Sequence, residues 1–430
     1  MLNPFRLSFL SFFVIIILAL SITQTNTATL YADDQQSSQP RPQTGTFREN
    51  ELIVTFKAGT AQSAVDSILE ANGTAIDQML NESVVKVTVD PERLEYVKNA
   101  LSQNPDVVRV DYNHKIKSNY IPSNMFYSRQ WHLPDVQAPV AWDTSRGDSR
   151  IIIAILDSGV DITNPYFSGG KVINGYNFVD NTPNATSDQY GHGTMVAGIA
   201  AAPAGNGGVV GVCPNCSIMS VVIADKHGCS SDFDLARGIR YSADHGAKVI
   251  NISYSGSADN PIIHDAVNYA WNKGSVIVSS AGNESSNAKT FPAAYANVLA
   301  VSATGIDDKP ADFTDHGTWI DVSAPGVGLI TTGLRGKYAA GSGTSFAAPI
   351  IAGLAGLICS ANPSLTNAQV VNIIKKSSDN LGNAGFDEYY GFGKVNLQKA
   401  LAEAMARPDS SSTDSFVRNL NIMIHAGKVR

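Results

Sequence analysis

Four side chains, far apart in the chain, have the types that acyl transfer needs. Ser345 lies in Gly343-Thr344-Ser345-Phe346-Ala347-Ala348-Pro349, among small residues at the head of a long apolar segment. That setting predicts a serine on the first turn of a helix, with its hydroxyl open to attack from. A serine hydroxyl is a weak nucleophile near neutral pH, and histidine is the base whose unperturbed pKa lies closest to that range. His192 supplies one in Gly191-His192-Gly193-Thr194. An imidazole acting as base needs a carboxylate to hold one tautomer and to balance the charge it gains. Asp157 closes the apolar run Ile152-Ile153-Ala154-Ile155-Leu156-Asp157 and is suited to that task. Asn283, in Ala281-Gly282-Asn283-Glu284, offers an amide for the oxyanion, alongside the Ser345 backbone N–H at a helix N-terminus. Taken singly, these residues are equally a turn aspartate, a helix-end histidine, a turn asparagine and a serine N-cap. Their joint occurrence in one pattern carries the chemical reading.

That pattern begins at about Ile121. Apolar runs over 151–156, 218–224, 248–252, 275–280 and 298–301 alternate with helical periods such as 233–243 and 262–271. Continuously apolar strands are those covered on both faces, so the fold class is α/β, a parallel sheet wrapped by helices. Ligands in such folds gather beyond the carboxyl ends of the strands, where Asp157, Ser253 and Asn283 fall. A smaller unit precedes it. Leu52, Val54 and Phe56 alternate, Val65, Ile68 and Leu69 recur at helical spacing, Val85, Val87 and Val89 alternate, and Asp90-Pro91 opens a helix carrying Leu94, Val97 and Leu101. Val108, Val110 and Tyr112 close it. With a short strand over 75–79, the order is β-α-β-β-α-β, an α+β split βαβ unit of about 65 residues.

The 430-residue chain, 43% hydrophobic, is long enough for one large core and a satellite. Its formal net charge is −7, and no segment gathers the lysines and arginines that a phosphate backbone would require, which excludes nucleic acid as a partner. Residues 1–32 carry Arg6, an uncharged run from Leu7 to Ile22 and then small residues, the layout of a removed signal peptide; a retained anchor is the alternative. No other stretch is expected to be long and apolar enough to cross a bilayer. Residues 33–46 read as a polar linker and 403–430 as a polar tail. Cys213 and Cys216 form a Cys-x-x-Cys, which suits a local disulfide, half a metal site or a redox pair. A structural bridge involving this pair is favoured, with Cys229 as a competing partner, and Cys359 is expected to be a buried thiol. The remaining histidines lack His-Glu-x-x-His spacing, so no metal ligands are assigned.

The segments Ile155-Leu156-Asp157-Ser158-Gly159, Gly191-His192-Gly193-Thr194-Met195-Val196-Ala197-Gly198, Ala281-Gly282-Asn283-Glu284 and Gly343-Thr344-Ser345 resemble, in order and separation, those of the subtilisin-like serine proteases. The resemblance extends from Phe47 to about Leu401. It implies a secreted serine endopeptidase, extracellular or periplasmic, made as a self-processing zymogen. Asp157, His192 and Ser345 would be its triad and Asn283 its oxyanion donor, while Ser253 and Gly256 would line the substrate cleft through backbone contacts. It also implies that residues 47–120 are a pro-domain that assists folding and then inhibits in cis, with cleavage near Tyr120, and that 121–402 are the catalytic domain. Partners would be protein or peptide substrates and the pro-domain itself, with no membrane after signal removal. No cofactor is required. Calcium is possible, but Tyr166 stands where the family's strong calcium site has an aspartate, and the loop Pro203–Gly208 keeps one asparagine. Two further departures are Phe346 in place of a common methionine and Ser255 in place of a glycine. A noncatalytic binding protein on this fold and a transpeptidase or cyclase using the same triad are the competing readings. An α/β-hydrolase esterase requires Gly-x-Ser-x-Gly and the chain order Ser, Asp, His, and Ser345 is followed two positions on by Ala347.

Overall fold

A computed structural model describes residues 47–114, 120–167, 169–205 and 207–406. The signal-peptide and linker assignments, the tail beyond Ala406 and the segment just before Tyr120 lie outside the described residues. The chain divides into two compact units, one ending at residue 117 and the other beginning at residue 118.

In the first unit, strands β1 (Phe47–Phe56), β2 (Ile76–Asn81), β3 (Val84–Thr88) and β4 (Val107–His114) form an antiparallel sheet in the order β2-β3-β1-β4, with helices α1 (Gln62–Ala71) and α2 (Leu94–Ser102). Period-two alternation sends Leu52, Val54, Val85 and Val87 into a core shared with Val65, Leu69, Leu94, Val97 and Leu101 from the helices. The Asp90 carboxylate accepts the Glu92 N–H ahead of α2, as its place before Pro91 predicts. The β-α-β-β-α-β order is the one expected.

The second unit opens with two short helices, α3 (His132–Asp135) and α4 (Ala138–Ala141). Then come β5 (Ile152–Asp157), β6 (Val172–Asn177), α5 (His192–Ala201), β7 (Ser217–Val222), α6 (Asp232–Asp244), β8 (Val249–Ile252), α7 (Pro261–Asn272), β9 (Val276–Ser280), β10 (Leu299–Thr304) and β11 (Val322–Pro325). A hairpin, β12 (Leu329–Thr332) and β13 (Tyr338–Gly341), leads into α8 (Thr344–Ala361), followed by α9 (Asn367–Ser377) and α10 (Leu397–Ala406). Seven strands make one sheet, β11-β10-β9-β8-β5-β7-β6, parallel at every pairing. The five expected strands are its whole interior. The two additions, β6 and β11, are its edges: β6 interleaves polar residues, and β11, four residues long and buried, is bridged on its outer side by Gly391 and Lys394.

Alternate residues of β5 feed opposite layers. Ile153 and Ile155 join a core with α5 and α8, while Ala154 and Leu156 join one with α6 and α7. The first of these layers corrects one expectation: α8, at 18 residues and mean hydropathy 1.7, is long and apolar enough to span a bilayer, yet 83% of it is buried as the core helix of this unit. Cys213 and Cys216 are joined by a disulfide, Cys229 is free and exposed, and Cys359 is buried, its thiol pushed up to about 11 by burial.

Candidate active site

The site assembles at the carboxyl edge of the parallel sheet. β5 ends on Asp157, whose residue is fully buried and registers with Val222 of β7. The neighbouring strand β8 registers Ile252 with Leu156, so Ser253 emerges beside the carboxylate's strand. Between them, α5 starts at His192. Its Nδ1–H donates to Asp157 Oδ1 at 2.9 Å and lies 3.0 Å from Oδ2, which leaves Nε2 as the acceptor. Close approach explains the glycine after the histidine. A Cβ on Gly193 would fall 2.2 Å from Gly159 O and 2.9 Å from Asp157 Cβ.

Ser345 is the second residue of α8 and partly exposed. Pro349 sits one turn later and lacks an N–H, so it cannot bond the Ser345 carbonyl as a normal i+4 residue would. The Ser253 hydroxyl takes that place at 3.1 Å, and the Ser345 hydroxyl in turn donates to the Ser253 carbonyl at 3.1 Å. Asn251, fully buried in β8, donates its amide to the Ser253 hydroxyl at 3.0 Å. Asn283 is exposed beyond β9. Its Oδ1 accepts the Thr344 N–H at 2.8 Å and meets the Thr344 hydroxyl at 3.0 Å, which leaves its amide N–H groups as donors. Asp157 and His192 are thus in direct contact, as are Ser345 and Ser253, and Asn283 is tied to the residue before Ser345. Gly256, exposed, pairs with Phe291, its N–H donating at 2.9 Å and its C=O accepting at 2.8 Å.

Electrostatics favour a protonatable imidazole. Burial pulls the His192 pKa down, but the Asp157 carboxylate, through its field and its hydrogen bond, and Asp188 more weakly, outweigh it, so the group sits above its ordinary value. Three aromatic rings flank the imidazole, Phe346 at 5.8 Å, Tyr254 at 5.9 Å and Tyr190 at 6.4 Å between centroids. The Phe346 ring lies on Gly341, where a Cβ would be 2.2 Å from its tip. Burial, and then Asp157, push the Tyr254 phenol far up, so it stays neutral. An apolar groove of about 550 Å³ runs from His192 past Met195, Leu334 and Tyr338.

Several positioning groups were not singled out from sequence. Ser158 donates its backbone N–H to Asp157 at 2.8 Å, and its hydroxyl accepts the Gly193 N–H at 3.1 Å. Asp188 accepts hydrogen bonds from the loop ahead of His192 and from the first turn of α5. Asp315, buried, accepts the N–H groups of Glu284 and Ser286, bracketing the turn that follows Asn283. Asn251 alone had a visible signal, an amide in the middle of an apolar strand, since a buried amide must find partners.

The calcium question is open to a local test of fit. Tyr166 turns its ring against Tyr338, 5.4 Å between centroids, and brings no carboxylate. The Asn124 amide donates to Val209 O at 2.9 Å while its Oδ1 accepts the Gly205 N–H at 2.9 Å. The one asparagine of the Pro203–Gly208 loop, Asn206, lies outside the described residues, and the Tyr166 ring supplies none of the carboxylate oxygen that calcium takes. Among the described residues, no group of three or more His, Cys, Asp or Glu side chains is gathered as metal ligands.

The sequence profile of the Subtilase family matches residues 148–393, more than half of the chain. The chain belongs to the subtilase family. The profile of the fervidolysin N-terminal prodomain matches residues 33–113, so the match starts within the segment expected to be a linker. The chain is 42% identical over 284 residues to thermitase from Thermoactinomyces vulgaris, covering 66% of this chain and 99% of that protein. It is 38% identical over 364 residues to a thermophilic serine proteinase from Bacillus sp. (strain AK1), covering 83% and 88%. Among solved structures, a lanthipeptide protease superposes with a TM-score of 0.58 at 26% identity, covering 64% of this chain and 93% of that one. This subtilase is therefore a subtilisin-type serine protease with a prodomain.

Proposed function

We propose that the protein is a secreted endopeptidase, synthesised as a zymogen that processes itself, and that Asp157, His192 and Ser345 are its catalytic triad. In this reading the Ser345 hydroxyl turns from the Ser253 carbonyl to His192 Nε2, gives up its proton there and attacks the scissile carbonyl. His192 then passes the proton to the leaving amine, and water repeats the cycle on the acyl-enzyme. Asp157 keeps Nδ1 protonated and balances the imidazolium. The Asn283 amide and the Ser345 backbone N–H receive the oxyanion. Ser253 and Gly256 line the substrate cleft through backbone contacts.

The observation that carries the reading is the Asp157 carboxylate on His192 Nδ1 at the head of α5, at the same sheet edge as a serine on the first turn of α8. Residues 1–32 would be the signal peptide, 33–46 a linker, 47–120 the pro-domain, 121–402 the catalytic domain and 403–430 the tail. The pro-domain would inhibit its own catalytic domain until cleaved near Tyr120. Extracellular or periplasmic release follows from the N-terminal layout. No resident cofactor is needed by this chemistry, and Tyr166, which brings a ring and no carboxylate, argues against calcium at the family's strong site.

The test is covalent labelling of secreted protein by an organophosphorus fluoride, read by mass spectrometry. Label on Ser345, absent in Ser345→Ala, together with a mature N-terminus near Tyr120, is the expected result. An unlabelled, folded wild-type protein would sink the catalytic reading in favour of a binding protein. Products of aminolysis exceeding those of hydrolysis in water would favour a transpeptidase.

A further inference from the structure

We propose that Asp188 is a second carboxylate in the service of His192, a positioning residue that locks the head of α5 and whose charge helps hold the imidazolium formed when the Ser345 proton is taken up. The inference rests on the reading of His192 as general base.

One carboxylate gathers five donors. Asp188 Oδ1 accepts from the Ser158 hydroxyl at 2.9 Å and from the Tyr190 and Gly191 N–H groups at 3.0 and 2.7 Å. Oδ2 accepts from the Thr194 N–H at 2.9 Å and from its hydroxyl at 2.7 Å. Five donors converging at the positive end of a helix suit a carboxylate side chain, which offers two acceptor oxygens. The Ser158 hydroxyl has one proton and lies nearer Asp188 than Asp157 Oδ1, at 2.9 against 3.3 Å, so the proton belongs to Asp188. Its oxygen accepts the Gly193 N–H. The backbone on both sides of His192 is therefore tied to Asp188, directly at Gly191 and Thr194 and through Ser158 at Gly193.

Charge is the second effect. The titratable and charged groups around the imidazole are Asp157 at the end of β5, Asp188 and Tyr190 in the loop before α5, Tyr254 after β8, and Lys337, which lines the groove beside His192. Asp225 and Lys226, after β7, line the cleft on the other side of Ser158. Asp157 is in contact with the ring. Asp188 is not, and acts on it by its field alone, adding to Asp157 in favour of the cation.

The experiment is the pH dependence of kcat/KM on a chromogenic peptide for wild type, Asp188→Asn and Asp188→Ser. The serine variant removes the charge with a smaller polar side chain, so it serves if the asparagine variant does not fold. Thr194→Val is the structural control, since it loosens the same turn and leaves the carboxylate in place. Labelling of Ser345 in the wild type is established first, so that failure of the catalytic reading is seen separately. Both neutral variants should lose about tenfold in kcat with KM within about twofold, and their acid limb should move about half a pH unit lower. Thr194→Val should lower the plateau and leave the limb in place. An acid limb in folded Asp188→Asn or Asp188→Ser that coincides with the wild type overturns the inference, as does an equal displacement in Thr194→Val.

Discussion

Gly193→Ala is the sharpest test of how the site is built. Gly193 does not have a left-handed backbone, so alanine meets only a question of space. Its Cβ would stand 2.2 Å from Gly159 O, 2.9 Å from Asp157 Cβ and 3.1 Å from Asp157 Oδ1. None of these can swing aside, since one is backbone and the others belong to a short, fully buried side chain. A carbon and an oxygen do not settle much below about 3 Å, so the head of α5 must withdraw by about 1 Å. The imidazole moves with it, away from Asp157. A displacement of that size in a catalytic group costs about a hundredfold in rate, equivalent to about 2.7 kcal/mol. Overpacking should also lower stability by about 1–3 kcal/mol. The assay is kcat/KM on a peptide substrate well below the variant's unfolding temperature, with circular dichroism to establish folding. A folded Gly193→Ala enzyme within about threefold of wild type would refute the claim that this contact sets the His192–Asp157 geometry.

The raised His192 pKa gives a pH expectation with a definite sign. With His192 as the proposed general base, activity would need the neutral imidazole, so kcat/KM should rise with a midpoint above 6.5, and a midpoint below 6.5 in a pH–rate profile would contradict the balance of burial against Asp157. The linked stability runs the other way: the contribution of protonated His192 is fully present below its unfolded value and is lost as pH rises through the folded one, which urea titrations across pH 6–8 should detect. Phe346 brings no thioether beside Ser345, so peroxide should inactivate the wild type more slowly than Phe346→Met; equal rates would reject the explanation. For the loop around Gly205, Asn124→Ala should cost about 1–3 kcal/mol by unpartnering Val209 O and the Gly205 N–H, while a chelator should leave the wild-type melting temperature unchanged. A large chelator-induced drop in calorimetry would show that a cation holds the fold.

Residue pattern alone determined a good deal here. Continuous apolar runs can be stable strands only if both faces are covered, so β5, β7, β8, β9 and β10 and their parallel sheet followed from composition and spacing. The alternation in the first unit likewise predicted its order. The edges escaped because β6 interleaves polar residues and β11 is only four residues long, and the expectation that no further stretch is apolar enough to cross a bilayer missed α8, whose small residues, Gly353 and Gly356 among them, dilute its apolar run. Tertiary structure decided the rest. Nothing in the local sequence tells which hydroxyl satisfies the carbonyl that Pro349 leaves free, or that Gly193 must press against Gly159 and Asp157. Nor does it reveal that Asp188 draws donors from three separate places, or that Gly256 gives its backbone to Phe291. Those facts depend on segments distant in the chain arriving at one sheet edge, and hydrogen-bond satisfaction is a property of that meeting, not of any single segment.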